Sequence, residues 1–297
     1  MKAPKNSTGT SQGSVTVSVP ATTANLGPGF DSFGIALDLH NEVILSPRIS
    51  GVALPPMVAR TAESFFRGSG IPPFAFSWKI RGRVPRARGL GSSVTVRLGT
   101  LLGLNHLCGN PLSRHGLFRL CADLEDHPDN AAPAAFGGFT IARGHRDPVR
   151  YPVSPDIRFI LLIPDFEVAT PEARKVMPKS IGISDAAANA ADAAVIAAAF
   201  ATKRYELLRG AFGDRVHQPF RKKLVPFLDE VVSSGESAGA LGGWLSGSGS
   251  TICCVATDES SAKRVGAAMR KAAPKGSKVL LCGVDNKGAS VRGSVSV

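Results

Sequence analysis

Aromatic residues are scarce in this chain of 297 residues. They make up 6% of it, with two Trp and two Tyr, although the formal net charge is +12. A basic protein attracts anions of every kind, including nucleic acid, lipid, nucleotides and acidic metabolites. Single-stranded nucleic acid is bound largely by stacking bases on aromatic rings, and the basic residues here are spread from Lys2 to Arg292 instead of being concentrated. We therefore expect no nucleic-acid partner.

Other absences narrow the class further. None of the five cysteines forms a CxxC pair, which favours buried thiols in a reducing, cytoplasmic setting. The first residues lack the apolar stretch of a secretory signal, so residues 1–13 are interpreted as a disordered tail. No run of 18 apolar residues is present, so neither a membrane span nor a membrane partner is expected.

The hydrophobic content, 43%, is that of a folded soluble protein. Alternating strand patterns and helical patterns are mixed without strict alternation, which favours an α+β fold. The polar, Pro-containing stretch at 145–157 suggests a domain boundary. We place an N-terminal domain at 14–155 and a C-terminal domain at 156–297.

A glycine loop opens one predicted helix. In "RARGLGSSVTVRLG", Gly89, Gly91, Ser92 and Ser93 precede an apolar stripe of helical spacing. A helix start carries unpartnered N–H groups and partial positive charge, and glycine lets a ligand approach the backbone closely. These properties suit a phosphate, and the hydroxyl groups suit a phosphate oxygen or Mg²⁺.

The named phosphate-binding motifs do not match this loop. No Gly-Lys dipeptide exists, which excludes a Walker A sequence, and Val94 stands where a Rossmann fingerprint needs its third glycine. The alternative interpretation is a plain helix start with glycines for chain reversal. The basic residues at 79–88 either raise the local potential or form a solvated strand face.

Three further segments bear on that choice. "PATTANLGPGFDSFGIALD" (20–38) brings polar residues into a glycine turn, "LEDHPDNAAPAAFGGF" (124–139) clusters acids, and "WLSGSGSTICCVA" (244–256) holds a second glycine turn. Together with "GLGSS" and "LSGSGST", which look like the second and third motifs, these segments resemble the GHMP kinase superfamily. Within it the match is closest to the homoserine kinase family, which "TPEARKVMP" and "HQPFRKKL" also resemble.

This resemblance covers residues 14–256 in five blocks, and it implies more than the residues alone. It implies a two-domain GHMP kinase fold, with an N-terminal phosphate-loop domain and a C-terminal ferredoxin-like domain. It implies transfer of phosphate from ATP to the hydroxyl of homoserine, a step of threonine biosynthesis, and formation of a homodimer. Alternatives are another small alcohol as acceptor, or a non-enzymatic basic relative that binds nucleotide or nucleic acid.

On the nucleotide side, the resemblance implies that the loop holds the phosphates of ATP. The residues concerned are Arg88, Gly89, Leu90, Gly91, Ser92 and Ser93. Mg²⁺ prefers few protein oxygens and keeps several waters. The expected ligands are Glu125 and Ser93, with Ser92, Asp123 and Asp126 as alternatives.

On the acceptor side, two arginines are expected to clamp the carboxylate, because a guanidinium donates two parallel hydrogen bonds to it. These are Arg174 and Arg221. Asp31 is expected to pair with the ammonium group and Asn25 to orient it, although both residue types also favour turns for local reasons. Thr170 is expected either to bind substrate or to cap the chain before Pro171.

Three residues are expected near the reacting hydroxyl group. The resemblance places Asp129 and Asn130 there, and a helix cap is the competing interpretation of both. His217 is a candidate base because imidazole titrates near neutral pH; a structural histidine is equally compatible. The chain departs from the expected pattern at Asp126, where we expect glycine, and at Ser250, where proline is frequent.

Overall fold

The computed structural model describes residues 13–48, 53–144 and 146–293. Apart from Gly13, the predicted disordered tail lies outside the described residues. The strands are β1 (Val15–Ala24), β2 (Phe33–Pro47), β3 (Phe76–Gly82), β4 (Phe139–Arg143), β5 (Arg146–Tyr151), β6 (Arg158–Ile163), β7 (Gly242–Leu245), β8 (Ile252–Ala256), β9 (Lys278–Cys282) and β10 (Ser290–Arg292). The helices are α1 (Pro56–Ser69), α2 (Ser92–Leu107), α3 (Arg114–Glu125), α4 (Pro128–Phe136), α5 (Thr170–Lys175), α6 (Ile183–Thr202), α7 (Gln218–Arg221), α8 (Leu228–Ser237) and α9 (Glu259–Ala272).

The first sheet has six strands, in the order β10-β1-β2-β4-β5, with β3 also paired to β2. The length of β2 explains this branching. Its first part, Phe33–Ile35, pairs with β4, and Asn41–Pro47 pairs with β3. Helices α1 to α4 belong to the same part of the chain, and their buried faces share one core with β1 and β2.

The second sheet has the order β7-β8-β6-β9, and its described pairs are all antiparallel. With helices between β6 and β7 and between β8 and β9, this is the split βαβ arrangement of ferredoxin-like folds. Side chains of β6 alternate between two cores, since Phe159 and Leu161 face the first sheet while Ile160 and Leu162 face α8 and α9. The predicted α+β, two-domain fold is confirmed.

The adjacent cysteines follow the same alternation. Cys253 and Cys254 lie on opposite faces of β8, in different cores, as their adjacency in a strand predicts. All five cysteines are free, and four are buried. Burial raises the pKa of the Cys121, Cys253, Cys254 and Cys282 thiols, which keeps them protonated and unreactive.

The chain crosses between the two sheets near its last described residues. The strand β10 pairs antiparallel with β1, with Val17 opposite Val291. Asp285 N donates to the carbonyl of Ala36, and Asp285 O accepts from Gly138 N. The boundary at 155 and 156 stays a prediction, but residues 285–292 belong with the first sheet although they follow that boundary.

One helix has the length and composition of a membrane span. It is α6, with 20 residues and a mean hydropathy of 1.3, and 22% of its window is buried. Its polar positions are anchored to the protein, since Asn189 Nδ2 donates to Pro28 O at 2.8 Å and Asp185 pairs with Arg215 at 3.3 Å. Length and composition are weak evidence, and the expectation of no membrane partner remains a prediction.

Candidate active site

A cavity of about 520 Å³ lies where the two sheets' loops meet. It is bounded by the loop after β1, the start of α2, the start of α4, and the helices α5 and α7. With one exception, every residue predicted for the site lines it: Asn25, Asp31, Arg88, Gly89, Leu90, Gly91, Ser92, Ser93, Glu125, Asp129, Asn130, Thr170, Arg174 and Arg221. Asn25 and Arg221, which lie 196 positions apart in sequence, therefore share one space.

The phosphate loop presents an uncapped helix start. Gly91 precedes α2 with φ +65°, and no described side chain caps the helix. The first intrahelical donor described is Thr95 N, to Gly91 O at 3.0 Å, so the N–H groups before it remain for a ligand. A side chain at Gly91 would meet Thr22 Oγ1 at 2.1 Å, which is why the loop needs glycine here.

The second glycine turn, between β7 and β8, packs against the phosphate loop. Ser246 Oγ donates to Gly89 O at 2.7 Å, and Thr251 N donates to Arg88 O at 3.3 Å. A Cβ on Gly89 would lie 2.0 Å from Ser246 O. The turn before β8 therefore fixes the height and orientation of the phosphate loop.

Arg88 turns away from the helix start toward the second domain. Its Nε donates to Pro164 O at 3.1 Å and its Nη1 lies 3.2 Å from Glu167 Oε1. Arg88 lines the cavity and at the same time joins the loop to the chain after β6.

Asn25 and Asp31 are held by a tight turn after β1. Both have left-handed backbones, with φ +73° and φ +54°. Asn25 Oδ1 accepts from Asp31 N at 3.0 Å, while its Nδ2 donates to Gly247 O at 2.9 Å. Asn25 thus joins its own turn to the second glycine turn and leaves the Asp31 carboxylate facing the cavity.

Arg174 and Arg221 approach this carboxylate from the second domain. Arg174 Nη2 donates to Asp31 Oδ1 at 2.6 Å, so the predicted cationic and anionic groups pair with each other here. Arg221 is buried, and its guanidinium donates to Gly247 O at 2.9 Å and to Ala173 O at 3.3 Å. Burial and the nearby Arg174 charge lower the pKa of Arg221 to about 10, so it stays cationic at neutral pH.

Asp129 lies in the first turn of α4 and is buried. Its Oδ1 accepts from Asn130 N at 2.8 Å and from Asn130 Nδ2 at 3.2 Å, while Thr22 Oγ1 donates to Asn130 Oδ1 at 2.6 Å. Burial, with the charge of Asp31, raises the pKa of Asp129 to about 7. A carboxyl group with this pKa can accept a proton near neutral pH.

The sequence relatives agree with this geometry. The model of the GHMP kinases N terminal domain matches residues 56–138, and that of the GHMP kinases C terminal region matches residues 196–275. A homoserine kinase of Carboxydothermus hydrogenoformans is 38% identical over 274 residues, which cover 86% of this chain and 89% of that protein. The chain belongs to the GHMP kinase family.

The alignments with two further relatives extend over nearly all of this GHMP kinase. A homoserine kinase of Aquifex aeolicus is 36% identical over 296 residues, 93% of this chain and 99% of that one. The crystal structure of a homoserine kinase from Cytophaga hutchinsonii aligns with a TM-score of 0.87 and 28% identity, covering 98% of this chain and 100% of the other.

The exception among the predicted residues is His217, which does not line the cavity. Its side chain is fully buried, with Nε2 donating to Gly27 O at 2.9 Å and Nδ1 lying 3.4 Å from Arg221 Nη1. Burial lowers its pKa to about 4. This burial favours the interpretation of His217 as a structural histidine over that of a base, because a group without access to substrate cannot receive its proton. Its nitrogens position Arg221 and the glycine turn instead.

The residues proposed for Mg²⁺ fit that ion. Ser93 Oγ donates to Glu125 Oε2 at 2.8 Å, and Arg97 Nη1 lies 3.3 Å from Glu125 Oε1. Arg97 Nη1 and Glu125 Oε1 are both buried, yet neither atom makes a hydrogen bond within the described residues. Burial raises the pKa of Glu125, although Arg97 and Ser93 oppose this. Glu125 and Ser93 place a carboxylate and a hydroxyl side by side, and such oxygens are the ligands that a hard cation takes.

The metal would have to share its ligands with the nucleotide. The described residues contain no group of three or more His, Cys, Asp or Glu side chains that could hold a metal ion. One carboxylate, one hydroxyl and substrate phosphates are the usual set for Mg²⁺. Asp126 points to solvent and does not line the cavity, so it is not a direct ligand.

Sequence reasoning missed several residues of the site. His127 is one of them, and it lines the cavity with Nδ1 3.9 Å from Asp31 Oδ2. An apolar wall beside the phosphate loop was also missed; it consists of Pro55, Met57, Val58, Trp78, Val94 and Val96. These residues carry no motif, and only the packing of α1, β3 and α2 brings them together. Thr170 lines the cavity as the first residue of α5.

Proposed function

We propose that this protein is an ATP-dependent homoserine kinase. It transfers the γ-phosphoryl group of ATP to the side-chain hydroxyl of L-homoserine, which gives O-phospho-L-homoserine and ADP in threonine biosynthesis. One observation carries the proposal: a single cavity joins an uncapped helix start to a cluster of two arginines and an aspartate. The first suits a polyphosphate, and the second suits a small zwitterion with a carboxylate and an ammonium group.

The nucleotide lies along the first domain. Its phosphates accept hydrogen bonds from the N–H groups at the start of α2, where the helix dipole favours negative charge. The apolar wall next to the loop takes the flat base, with Met57 and Trp78 at its edge. In this position the terminal phosphate points toward the start of α4.

Glu125 and Ser93 would hold Mg²⁺ together with the nucleotide. The ion would neutralise charge on the phosphate oxygens during transfer. Ser93 keeps the carboxylate oriented through its hydrogen bond, and Arg97 offsets the carboxylate charge.

Homoserine lies at the other end of the cavity. Its carboxylate binds Arg174 and Arg221, and its ammonium group binds Asp31, so that the Arg174–Asp31 ion pair is divided between the two charged groups on the α-carbon of the substrate. The chain of homoserine then extends toward Asp129 and Asn130. This places the hydroxyl group between the acceptor cluster and the phosphate loop.

Asp129 accepts the hydroxyl proton as the new O–P bond forms. Its pKa of about 7 makes the carboxylate and its protonated form similarly populated at neutral pH. Asn130 holds the carboxylate by donating from N and Nδ2 to Asp129 Oδ1, and it is itself held by the hydrogen bond that Thr22 Oγ1 donates to its Oδ1. Phosphoryl transfer depends mainly on positioning and electrostatic stabilisation. The hydrogen bonds among Thr22, Asn130 and Asp129 supply the positioning.

The remaining parts of the proposal concern the surroundings of the enzyme. We infer a cytoplasmic enzyme with a small-molecule substrate, no nucleic-acid or membrane partner, and a homodimeric assembly. The free, buried cysteines support a reducing compartment. The scatter of basic residues along the chain supports the absence of a nucleic-acid partner.

The test is release of ADP with MgATP and a panel of acceptors. The panel contains homoserine, serine, threonine, mevalonate and galactose. Turnover with homoserine far above the others is the expected result. Turnover with mevalonate or galactose instead would retain the kinase and remove the assigned roles of Arg174 and Arg221. Tight ATP binding without turnover of any acceptor would contradict the proposed substrate.

A further inference from the structure

Two guanidinium groups share the acceptor end of the cavity, and their charges repel each other. Arg174 has one ion-pair partner there, Asp31, and Arg221 has backbone carbonyls. Within the described residues, Arg174 Nε is buried without a hydrogen-bond partner. These hydrogen bonds alone do not explain how two guanidinium groups of like charge stay side by side. Another group must hold the two cations in place.

Phe30 contacts both arginines. The Arg174 Cζ atom lies over its ring, 5.0 Å from the centroid, and the Arg221 Cζ atom lies 5.2 Å from the same centroid. The His217 ring stacks on it as well, with centroids 5.1 Å apart and planes 25° apart. Guanidinium groups are attracted to an aromatic face at such distances, so one half-buried ring contacts both cations, and the neutral His217 imidazole packs against it.

The backbone around Phe30 fixes its ring. Ser32 N and Phe33 N both donate to Gly29 O, at 3.0 and 2.9 Å, and Asp31 N is held by Asn25. A Cβ at Gly29 would lie 2.3 Å from ring atoms of Phe33, so the turn cannot shift easily. Consecutive residues therefore supply a π face to the two arginines and a carboxylate to one of them.

We propose that Phe30 is a positioning residue that holds Arg174 and Arg221 side by side and thereby sets the affinity for the acceptor's carboxylate. The ring attracts both cations without neutralising either, so their charge remains available to a substrate anion. Asp31 alone would compete with that anion for Arg174. This inference rests on the proposed function only in naming homoserine as the carboxylate that binds.

The first test separates the two Michaelis constants. Phe30→Leu is expected to raise the KM for homoserine about tenfold and to leave the KM for ATP within about twofold, since only cation–π contacts at the acceptor end are lost. Phe30→Tyr keeps the aromatic face and should restore the KM for homoserine. Phe74→Leu, which removes a half-buried ring packed against Phe66 and Phe76, is the matched control and should change neither constant.

A double-mutant cycle tests whether the ring acts through the arginines. In the Arg221→Ala background, Phe30→Leu is expected to add much less than it does in the wild type, because contacting residues that act together are not additive. Full additivity, equal changes in both Michaelis constants, or failure of Phe30→Tyr to restore the constant would each overturn the proposal.

A measurement without substrate keeps this inference separate from the proposed function. The side-chain Nε–Hε NMR signals of Arg174 and Arg221 are expected to carry ring-current shifts that Phe30→Leu removes and Phe30→Tyr retains. If the wild type does not turn over homoserine but these shifts are present, the proposed substrate is wrong and the positioning role stands. Signals that do not change in Phe30→Leu contradict the positioning role whatever the activity.

Discussion

At the scale of single residues, the two candidate proton acceptors differ in opposite directions from their ordinary pKa values. Burial raises the pKa of Asp129 to about 7 because the charged form of a carboxyl group is disfavoured, and lowers that of His217 to about 4 because the charged form of an imidazole is disfavoured. Above pH 5, His217 is therefore neutral, and its charge does not change as the pH rises further. Only Asp129 changes its charge across the neutral range.

The pH dependence of kcat tests this assignment. Since the active form of Asp129 is the carboxylate, kcat is expected to rise with pH through about 7 and to level off above it. Asp129→Asn should lower kcat by about 10²–10⁴-fold and remove that rise, while His217→Gln should retain it. A rise that survives in Asp129→Asn and disappears in His217→Gln would reverse the two roles.

Arg174 offers a second test at this scale. Arg174→Ala removes charge-assisted hydrogen bonds to the substrate carboxylate, which should raise the KM for homoserine about 10–100-fold. The KM for ATP should change little, because Arg174 lies at the far end of the cavity from the apolar wall. Lys175→Ala changes the exposed neighbouring cation and is the matched control. Similar effects of the two substitutions would indicate general charge attraction instead of a specific contact.

Individual site residues were largely predictable, because the motifs that carry them are short and continuous. Asn25 and Asp31 lie in one turn, and Asp129 and Asn130 at one helix start. The burial of His217 could not be predicted from its own surroundings in the sequence. Its burial is caused by Gly27 and Phe30, which lie almost 190 positions earlier in sequence, and spacing around His217 contains no trace of them.

At the scale of elements, the start of α2 depends on a glycine for two separate reasons. Gly91 has φ +65°, and a Cβ there would also meet Thr22 Oγ1 at 2.1 Å. Gly109, beyond the other end of the same helix, has φ +78° but open space around it. Substitutions at Gly91 and Gly109 therefore distinguish the effect of a strained backbone, present at both, from that of a steric clash, present only at Gly91.

Gly91→Ala is therefore expected to weaken ATP binding at least about tenfold and to lower the free energy of unfolding, because Thr22 and the loop must move apart. Gly109→Ala should cost only the strain of a left-handed alanine, about 1 kcal/mol, and leave ATP affinity unchanged. Calorimetric ATP titration and urea unfolding of both variants measure these effects. Equal loss of ATP affinity in both would show that strain alone matters.

The end of α3 contains a residue that its backbone does not favour. Asp126, where glycine is expected, has φ +64° and an exposed side chain. Asp126→Gly is expected to raise the free energy of unfolding by about 0.5–1 kcal/mol, because glycine adopts this conformation without steric cost. Asp126→Ala keeps the strain and removes the charge, and should not stabilise. Equal stabilisation by alanine and by glycine would assign the effect to the charge of Asp126, which lies beside Glu125.

Some element ends have a local signal in the sequence, whereas weakly patterned strands depend on pairing within the fold. Ser113 caps α3 by accepting a hydrogen bond from Gly116 N at 3.1 Å, and Pro226 lies in the break between α7 and α8. The stretch interpreted as a polar boundary contains β5, which is exposed and carries Pro148. β10 has three residues, and its pairing with β1 is what makes it a strand.

At the scale of the whole molecule, the two sheets share one core. Phe139 of the first sheet stacks on Phe200 of α6 at 4.3 Å, and Trp244 of the second sheet donates through Nε1 to Thr23 Oγ1 at 2.9 Å. The same boundary also carries the cavity. The two domains predicted from the sequence are therefore segments of the chain that pack together, and we do not expect them to fold separately.

A fragment of residues 13–155 tests this directly. It lacks β10, the backbone hydrogen bonds of Asp285, and the second-sheet side of the shared core. We expect no cooperative urea unfolding transition from it, whereas the whole chain should unfold cooperatively. A fragment that unfolds cooperatively with most of its native circular dichroism would show that the first domain is independent.

The return of the chain to β1 also affects the order of events during synthesis. Domains generally fold as units while the ribosome is still translating, with the N-terminal one first. Here the free edge of β1 stays open until Ser290–Arg292 has been translated. A nascent chain would therefore expose an unpaired strand edge through most of its elongation, which is the period in which a chaperone that covers such edges would increase the yield of folded enzyme.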